Sequence, residues 1–137
     1  MFEHFNVYGL YVNVQAVLAL YESGRMTGVV LDSGEGISDI VPIYEGYAIP
    51  HATKKFEIAG GDITTNLKKL LREKGPSYQA PQEIEIIREI KEKMCEVARD
   101  YETQIREVEE KDFLLPDGRK IKIGKERFQS TEILFKP

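Results

Sequence analysis

The stretch that most constrains this chain is Leu31-Asp32-Ser33-Gly34-Glu35-Gly36-Ile37, a glycine-spaced acidic turn between two apolar runs. Met26-Thr27-Gly28-Val29-Val30-Leu31 before it is rich in β-branched and aliphatic residues. Ile37-Ser38-Asp39-Ile40-Val41-Pro42-Ile43-Tyr44 after it alternates with a period near two. The pattern predicts strand, turn, strand. In such a turn Gly34 and Gly36 are expected to take positive φ, so that backbone N–H groups converge on an anion such as a phosphate. Asp32, ending what reads as a buried strand, would face that anion, and the two negative charges would need a divalent cation between them. Asp-Ser-Gly is also ordinary hairpin chemistry, and on the turn residues alone both readings stand.

The flanking residues carry more. Tyr11-Val12-Asn13-Val14-Gln15-Ala16-Val17-Leu18-Ala19-Leu20-Tyr21, Ser23-Gly24-Arg25, the turn itself and Val41-Pro42-Ile43-Tyr44-Glu45-Gly46-Tyr47-Ala48-Ile49-Pro50-His51-Ala52 follow in order. Ile58-Ala59-Gly60-Gly61-Asp62-Ile63-Thr64, Ile90-Lys91-Glu92-Lys93-Met94-Cys95, Leu115-Pro116-Asp117-Gly118 and Glu126-Arg127-Phe128 come after them. Together these pieces resemble the middle of actin and the actin-related proteins, over practically the whole chain. The resemblance implies an α/β chain with part of the actin-like, ribonuclease H-like ATPase fold. Residues 1–58 would form a partial inner subdomain with the phosphate hairpin, and residues 59–137 a mostly helical outer subdomain. The chain is expected to begin and end where an actin is still in mid-fold.

In that family ATP or ADP, with magnesium or calcium, lies in a cleft between two halves that each bring a phosphate hairpin. By resemblance, Asp32 would reach the metal through water, and the backbone at Ser33, Gly34, Gly36 and Ile37 would cradle phosphates. Glu35 stands where actins carry an aspartate that bonds the ribose. Gln15 matches the glutamine that orients the attacking water, a role suited to an amide that both donates and accepts. Gly60, Arg88, Lys91 and Glu92 match positions lining the ribose and adenine pocket. For the last three, charges at i,i+3 and i,i+4 on a solvated helix face are the competing reading. The departures are as informative: Asp39 replaces a histidine near the attacking water, and Gly61 replaces a common arginine. No counterpart of the other phosphate hairpin or of the glycine-rich adenine loop is seen.

The remaining chain reads simply. Residues 1–10 are expected to be strand or extended, with Phe2, Phe5 and Tyr8 packed. Residues 14–22 should form a helix buried all round and stopped by Gly24. His51 is expected to be a structural side chain. Asp62 would cap a helix over residues 63–72, with Leu67, Leu70 and Leu71 on one face and Gly75-Pro76 as its end. A second helix should start near Pro81, with Glu83 and Glu85 near its positive end. Its apolar stripe of Ile84, Ile87, Ile90, Met94, Val97, Tyr101, Ile105 and Val108 fits one long coiled-coil helix, or two helices with a break near residues 99–102. Residues 107–112 read as a solvated helix end, and residues 113–123 as a hairpin about Pro116-Asp117-Gly118. A short helix is expected around residues 126–128.

At 137 residues, 42% hydrophobic and 31% charged, the chain can bury roughly two thirds of its unfolded surface. A net charge of −4 with interleaved Lys, Arg and Glu argues against nucleic acid and against an anionic membrane as partners. Cys95 is the single cysteine and cannot form an internal disulfide, which fits a reducing cytoplasm. The expected function is that of an actin-like cytoskeletal protein piece carrying half of an ATP and metal site and inactive alone. Its parent would form or nucleate filaments, with actin or actin-related subunits and actin-binding proteins as partners. A non-enzymatic module that self-associates as a homodimer through exposed faces is the alternative, with no nucleotide bound.

Overall fold

The computed structural model describes residues 1–75 and 83–137. Pro76 and Pro81, the expected end of one helix and start of the next, lie outside the described residues. The chain divides into two compact units, Met1–Ser33 with Ser38–Phe56, and Gly34–Ile37 with Glu57–Pro137.

The first unit is one helix laid on an antiparallel sheet. Its lead-in is not a strand: α1 (Phe2–Phe5) is a single helical turn, and Phe2, Phe5 and Tyr8 stay exposed, so nothing apolar draws residues 1–10 into extended form. In α2 (Gln15–Glu22), Ala16, Val17 and Leu20 are buried, whereas Leu18 and Tyr21 remain exposed. The helix is therefore covered on one face and not all round. Gly24 ends it as expected. With φ 76° it lets its own N–H reach Tyr21 O at 2.9 Å and the Arg25 N–H reach Leu20 O at 3.3 Å, the paired bonds of a Schellman end.

Strands β1 (Gly28–Ser33), β2 (Ser38–Tyr44), β3 (Tyr47–Ala48) and β4 (Lys54–Phe56) pair antiparallel, and β2 is partner to each of the others. Glu45 and Gly46 turn β2 into β3 with φ 48° and 82°, the two left-handed residues of a type I′ hairpin. The core is Ala16, Val17, Leu20, Val41 and Ile43, with Val30 and Ala48 against it. β1 is only half covered: Val30 meets this core, while Val29 and Leu31 are 67% and 71% exposed. The expectation of a buried strand ending at Asp32 fails on that face.

The second unit holds α3 (Gly60–Glu73), α4 (Glu83–Met94), α5 (Tyr101–Arg106), the hairpin β5 (Lys111–Leu114) with β6 (Lys120–Ile123), and α6 (Glu126–Gln129). Leu67 and Leu71 of α3, Ile87 and Ile90 of α4, and Phe113, Leu115 and Ile123 form its core. Asp62 is not the first cap of α3. It sits in the first turn and accepts the Ala59 N–H at 3.0 Å, so the helix begins earlier, at Gly60.

The single coiled-coil helix is overturned. α4 stops at Met94 because buried Arg127 takes its carbonyl, with Nε to Met94 O at 2.7 Å. The Glu96 N–H turns to Arg127 O at 3.2 Å, and Thr131 Oγ1 donates to Glu96 O at 2.8 Å. Asp100 then starts α5 by accepting from Thr103 N–H and Oγ1. Accordingly Ile87 and Ile90 are core, whereas Ile84 and Val97 are exposed. Lys111 and Asp112 belong to β5, not to a helix end. Gly118 takes φ 84° in the expected turn, and among the described residues no helix is long and apolar enough to cross a membrane.

Leu67 is fully buried, and Leu67→Ala should cost about 2–5 kcal/mol in urea unfolding by removing packed methyl groups and leaving a cavity. A second prediction concerns acid. Burial pushes the Glu126 carboxyl up, but hydrogen bonds from its own backbone N–H, Lys74 and the Gly124 N–H outweigh it and hold it below its ordinary 4.5. A lowered folded value means stabilisation that is complete above pH 4.5 and is lost as pH falls through the folded value. Glu126→Gln should therefore flatten the acid limb of a stability–pH curve followed by urea midpoint.

Candidate functional site

The first unit brings together Gln15, Asp32 and Asp39. Gln15 opens α2, which sets its amide near the end of β1, and Nε2 donates to Asp32 Oδ2 at 2.7 Å. Asp32 stands directly opposite Asp39 in the β1–β2 register, and Asp39 stands opposite Lys55 in the β2–β4 register. Opposed residues of antiparallel strands share a face, so the three side chains line one side of the sheet. Asp39 Oδ1 is buried with no hydrogen-bond partner. Ser33 Oγ and Ser38 Oγ share a hydrogen bond of 2.8 Å, so the Ser33 hydroxyl is occupied while its backbone remains at the strand end.

The turn residues Gly34–Ile37 group with the second unit, and their glycines act differently from the expected nest. Neither Gly34 nor Gly36 has positive φ, and the Gly34 N–H donates to Ile37 O at 3.0 Å. The turn instead presents carbonyls: Gly34 O accepts the Gly60 N–H at 2.9 Å and Glu35 O accepts the Gly61 N–H at 2.7 Å. Two of the first N–H groups of α3, which no turn of that helix can satisfy, are thus capped by the hairpin tip. Gly36 and Ile37 are exposed. A Cβ added at Gly60 would lie 3.1 Å from Gly34 O, and one at Gly61 3.1 Å from Glu35 O. Close backbone approach is what these two glycines permit.

Glu35 then reaches α4. Its Oε1 lies 3.5 Å from Arg88 Nη2 and its Oε2 4.0 Å from Lys91 Nζ. Lys91 also donates to Gly60 O at 3.0 Å, and its side chain is only 16% exposed. The solvated-face reading fails for Lys91. Arg88 divides itself between Glu35 and Glu85, the latter at 3.4 Å and three residues back. Glu92 is exposed and, with Glu85, Arg88, Glu89 and Pro116, lines an open groove of about 440 Å³. Gly34, Glu35, Gly60, Arg88 and Lys91 therefore form one connected cluster, beside which Glu92 stands separate.

The actin family model matches residues 1–137. The chain belongs to the actin family. Against what that family implies, the residues of this actin-family chain fit a divalent cation in one respect that geometry can judge. Two opposed carboxylates and an amide lie on one sheet face, one carboxylate oxygen is orphaned, and oxygen donors are what magnesium and calcium take. For a nucleotide, the cluster at Gly60, Lys91 and Glu35 offers a cation and a carboxylate beside backbone without side chains.

Sequence reasoning missed three connections. The Gln15–Asp32 bond joins residues far apart in sequence, and nothing local signals it. The capping of Gly60 and Gly61 by the tip was hidden because the adjacent glycines read as a loop break. Buried Arg127, which terminates α4, carried only the signal of an arginine beside an aromatic. His51 is exposed. Cys95 accepts a hydrogen bond from Ser130 Oγ at 3.3 Å, and burial raises its thiol pKa, which disfavours the thiolate.

Gly60→Ala separates the two uses of that glycine. Helix propensity alone would make it stabilising by about 1 kcal/mol, but overpacking against Gly34 O should cost about 1–3 kcal/mol. The expected outcome is net destabilisation with faster hydrogen exchange at the amides of Gly60 and Gly61. A stabilised variant with unchanged exchange would show that the tip does not depend on this approach.

Proposed function

We propose that this chain supplies one phosphate hairpin and one ribose-side cluster of a nucleotide and divalent-cation site in an actin-like cytoskeletal protein of the cytoplasm. The observation that carries the reading is the 2.7 Å bond from Gln15 Nε2 to Asp32 Oδ2, which joins the water-orienting and metal-facing positions of the family in one arrangement. Asp32 would hold magnesium or calcium. The backbone at Ser33, Gly36 and Ile37 would meet phosphates of ATP or ADP, the Gly34 N–H being taken within the turn. Glu35, Gly60, Arg88, Lys91 and Glu92 serve the ribose and adenine side, within a fold of the ribonuclease H-like ATPase kind.

The bound nucleotide supplies the phosphoryl group and the cation neutralises its charge; this chain's residues position and orient. Gln15, kept rigid by Asp32, can hold a water by its remaining amide groups. Phosphoryl transfer depends on positioning and electrostatic donors, and one hairpin gives only part of them. The Gly34 N–H is already used within the turn, which reduces the donors further. The chain by itself therefore binds ATP weakly and does not hydrolyse it measurably. With the rest of an actin fold, its partners are actin or actin-related subunits and actin-binding proteins in filaments.

A second reading draws on one observation, the exposed Val29 and Leu31 of β1 on a strand that pairs only with β2 among the described residues. Such an edge favours self-association, and a nucleotide-indifferent dimer in light scattering would select this reading.

Calorimetry of the purified chain with ATP and magnesium should show no micromolar binding. At millimolar ATP and magnesium, amide shifts in NMR should concentrate at residues 32–37 and disappear in Asp32→Asn. Shifts scattered over the chain, or none, would remove the nucleotide reading.

A further inference from the structure

We infer that residues 10–14 of one copy of this chain add as a strand to the open edge of β1 in a second copy, and that the exchange is reciprocal. Strand exchange gives the self-association reading, on which it rests, a defined donor and a defined acceptor. It needs neither nucleotide nor metal.

The acceptor is β1. It pairs only with β2 among the described residues, so its other edge presents backbone groups without a ladder partner. Gly28-Val29-Val30-Leu31 carries no charge and no proline, devices that ordinarily blunt such an edge. Val29 and Leu31 stand opposite Pro42 and Ile40 in the register, and opposed residues share a face. The outer face beside the edge is therefore apolar.

The donor lies in the same unit. Leu10-Tyr11-Val12-Asn13-Val14 is uncharged and belongs to no helix or strand. The Asn13 amide donates to Tyr11 Oη at 2.8 Å, which puts side chains two residues apart on one side, the alternation of extended chain. Leu10, Val12 and Val14 fall to the other side, and all three are exposed, Val12 to 81%. The backbone N–H and carbonyl groups of residues 9–13 make no hydrogen bond among the described residues. One chain thus holds a strand without a sheet and a sheet edge without a strand.

The chain cannot serve its own edge, and this makes a second copy the occupant. Gln15 at the start of α2 is bonded to Asp32 near the end of β1, while Leu20 lies so close to Gly28 that a Cβ there would meet its Cδ1 at 3.2 Å. The helix therefore runs back along β1. To lie on its own β1, the segment would have to reverse between Val14 and Gln15 with no loop residue, whereas strand-to-helix connections take about 2–6 residues. A second copy has no such tether. Neither segment is charged, so the copies do not repel where they meet, and exchange in both directions closes a two-fold dimer.

The test is sedimentation of the full chain over a concentration series, with hydrogen exchange read at single amides. A dimer should build up across the micromolar range, with the amides of residues 10–13 protected in it and exchanging freely after dilution to monomer. Val12→Pro removes an N–H from the donor strand at an exposed position and should weaken dimerisation about tenfold or more. Val29→Lys, which puts a charge on the edge, should weaken it as well. Phe135→Ala, at an exposed apolar residue outside both segments, should leave it unchanged. Circular dichroism checks the folding of each variant, and if Val29→Lys does not fold, Val12→Pro and the exchange pattern decide. A monomer at every concentration would overturn both this inference and the self-association reading. A dimer whose residues 10–13 stay unprotected, or one that Val12→Pro does not weaken, would overturn strand exchange alone and point to another contact, such as β1 against β1.

Discussion

The second unit depends on how the N-terminus of α3 is satisfied. A helix leaves its first N–H groups without intrahelical partners, and here two of them, on Gly60 and Gly61, are taken by the carbonyls of Gly34 and Glu35. Neither helix residue carries a Cβ, which would stand a tight 3.1 Å from those oxygens. Once the tip is docked, the Glu35 carboxylate falls within ion-pair reach of Arg88 and Lys91, and Lys91 closes the ring on Gly60 O. Backbone capping sets the geometry; the exposed Arg88 pair adds little energy of its own, since such pairs are worth about 0–1 kcal/mol. The consequence is a turn whose backbone is tied directly to the start of α3.

Local chemistry was legible wherever one residue dictates a backbone angle. Gly24 after an apolar helix, and Pro116-Asp117-Gly118 between alternating runs, forced their structures because few residues accept left-handed φ. The family was legible for a related reason, since runs such as Asp32 to Gly36 and Glu45 to Tyr47 stand in a fixed order, and the family match spans residues 1–137. What escaped was tertiary. The periodic stripe after residue 83 continues past Met94 without a break in the letters, yet a single buried arginine captures the carbonyl that would carry the helix on. Periodicity measures which residues can be covered, not which carbonyl has a better partner elsewhere.

The candidate site repeats that lesson at higher resolution. The glycines of the turn were expected to offer N–H groups through positive φ, which neither takes; the glycines whose smallness the contact uses are Gly60 and Gly61, at the helix end that meets the turn's carbonyls. A pair of adjacent glycines reads equally as a loop break or as a close approach, so the letters cannot separate them. Lys91 is the opposite case, where an ordinary helix-face position proved largely buried because its ammonium has a carbonyl and a carboxylate to meet.

Asp39 sharpens the electrostatic question. The register sets Asp32 and Asp39 side by side on one face of the sheet, and exposed Lys55 forms no ion pair with Asp39 among the described residues. The sheet therefore carries a surplus of negative charge that favours whatever neutralises it. With an aspartate at 39 the face turns two carboxylates toward whatever approaches it, so while both are ionised it disfavours anions.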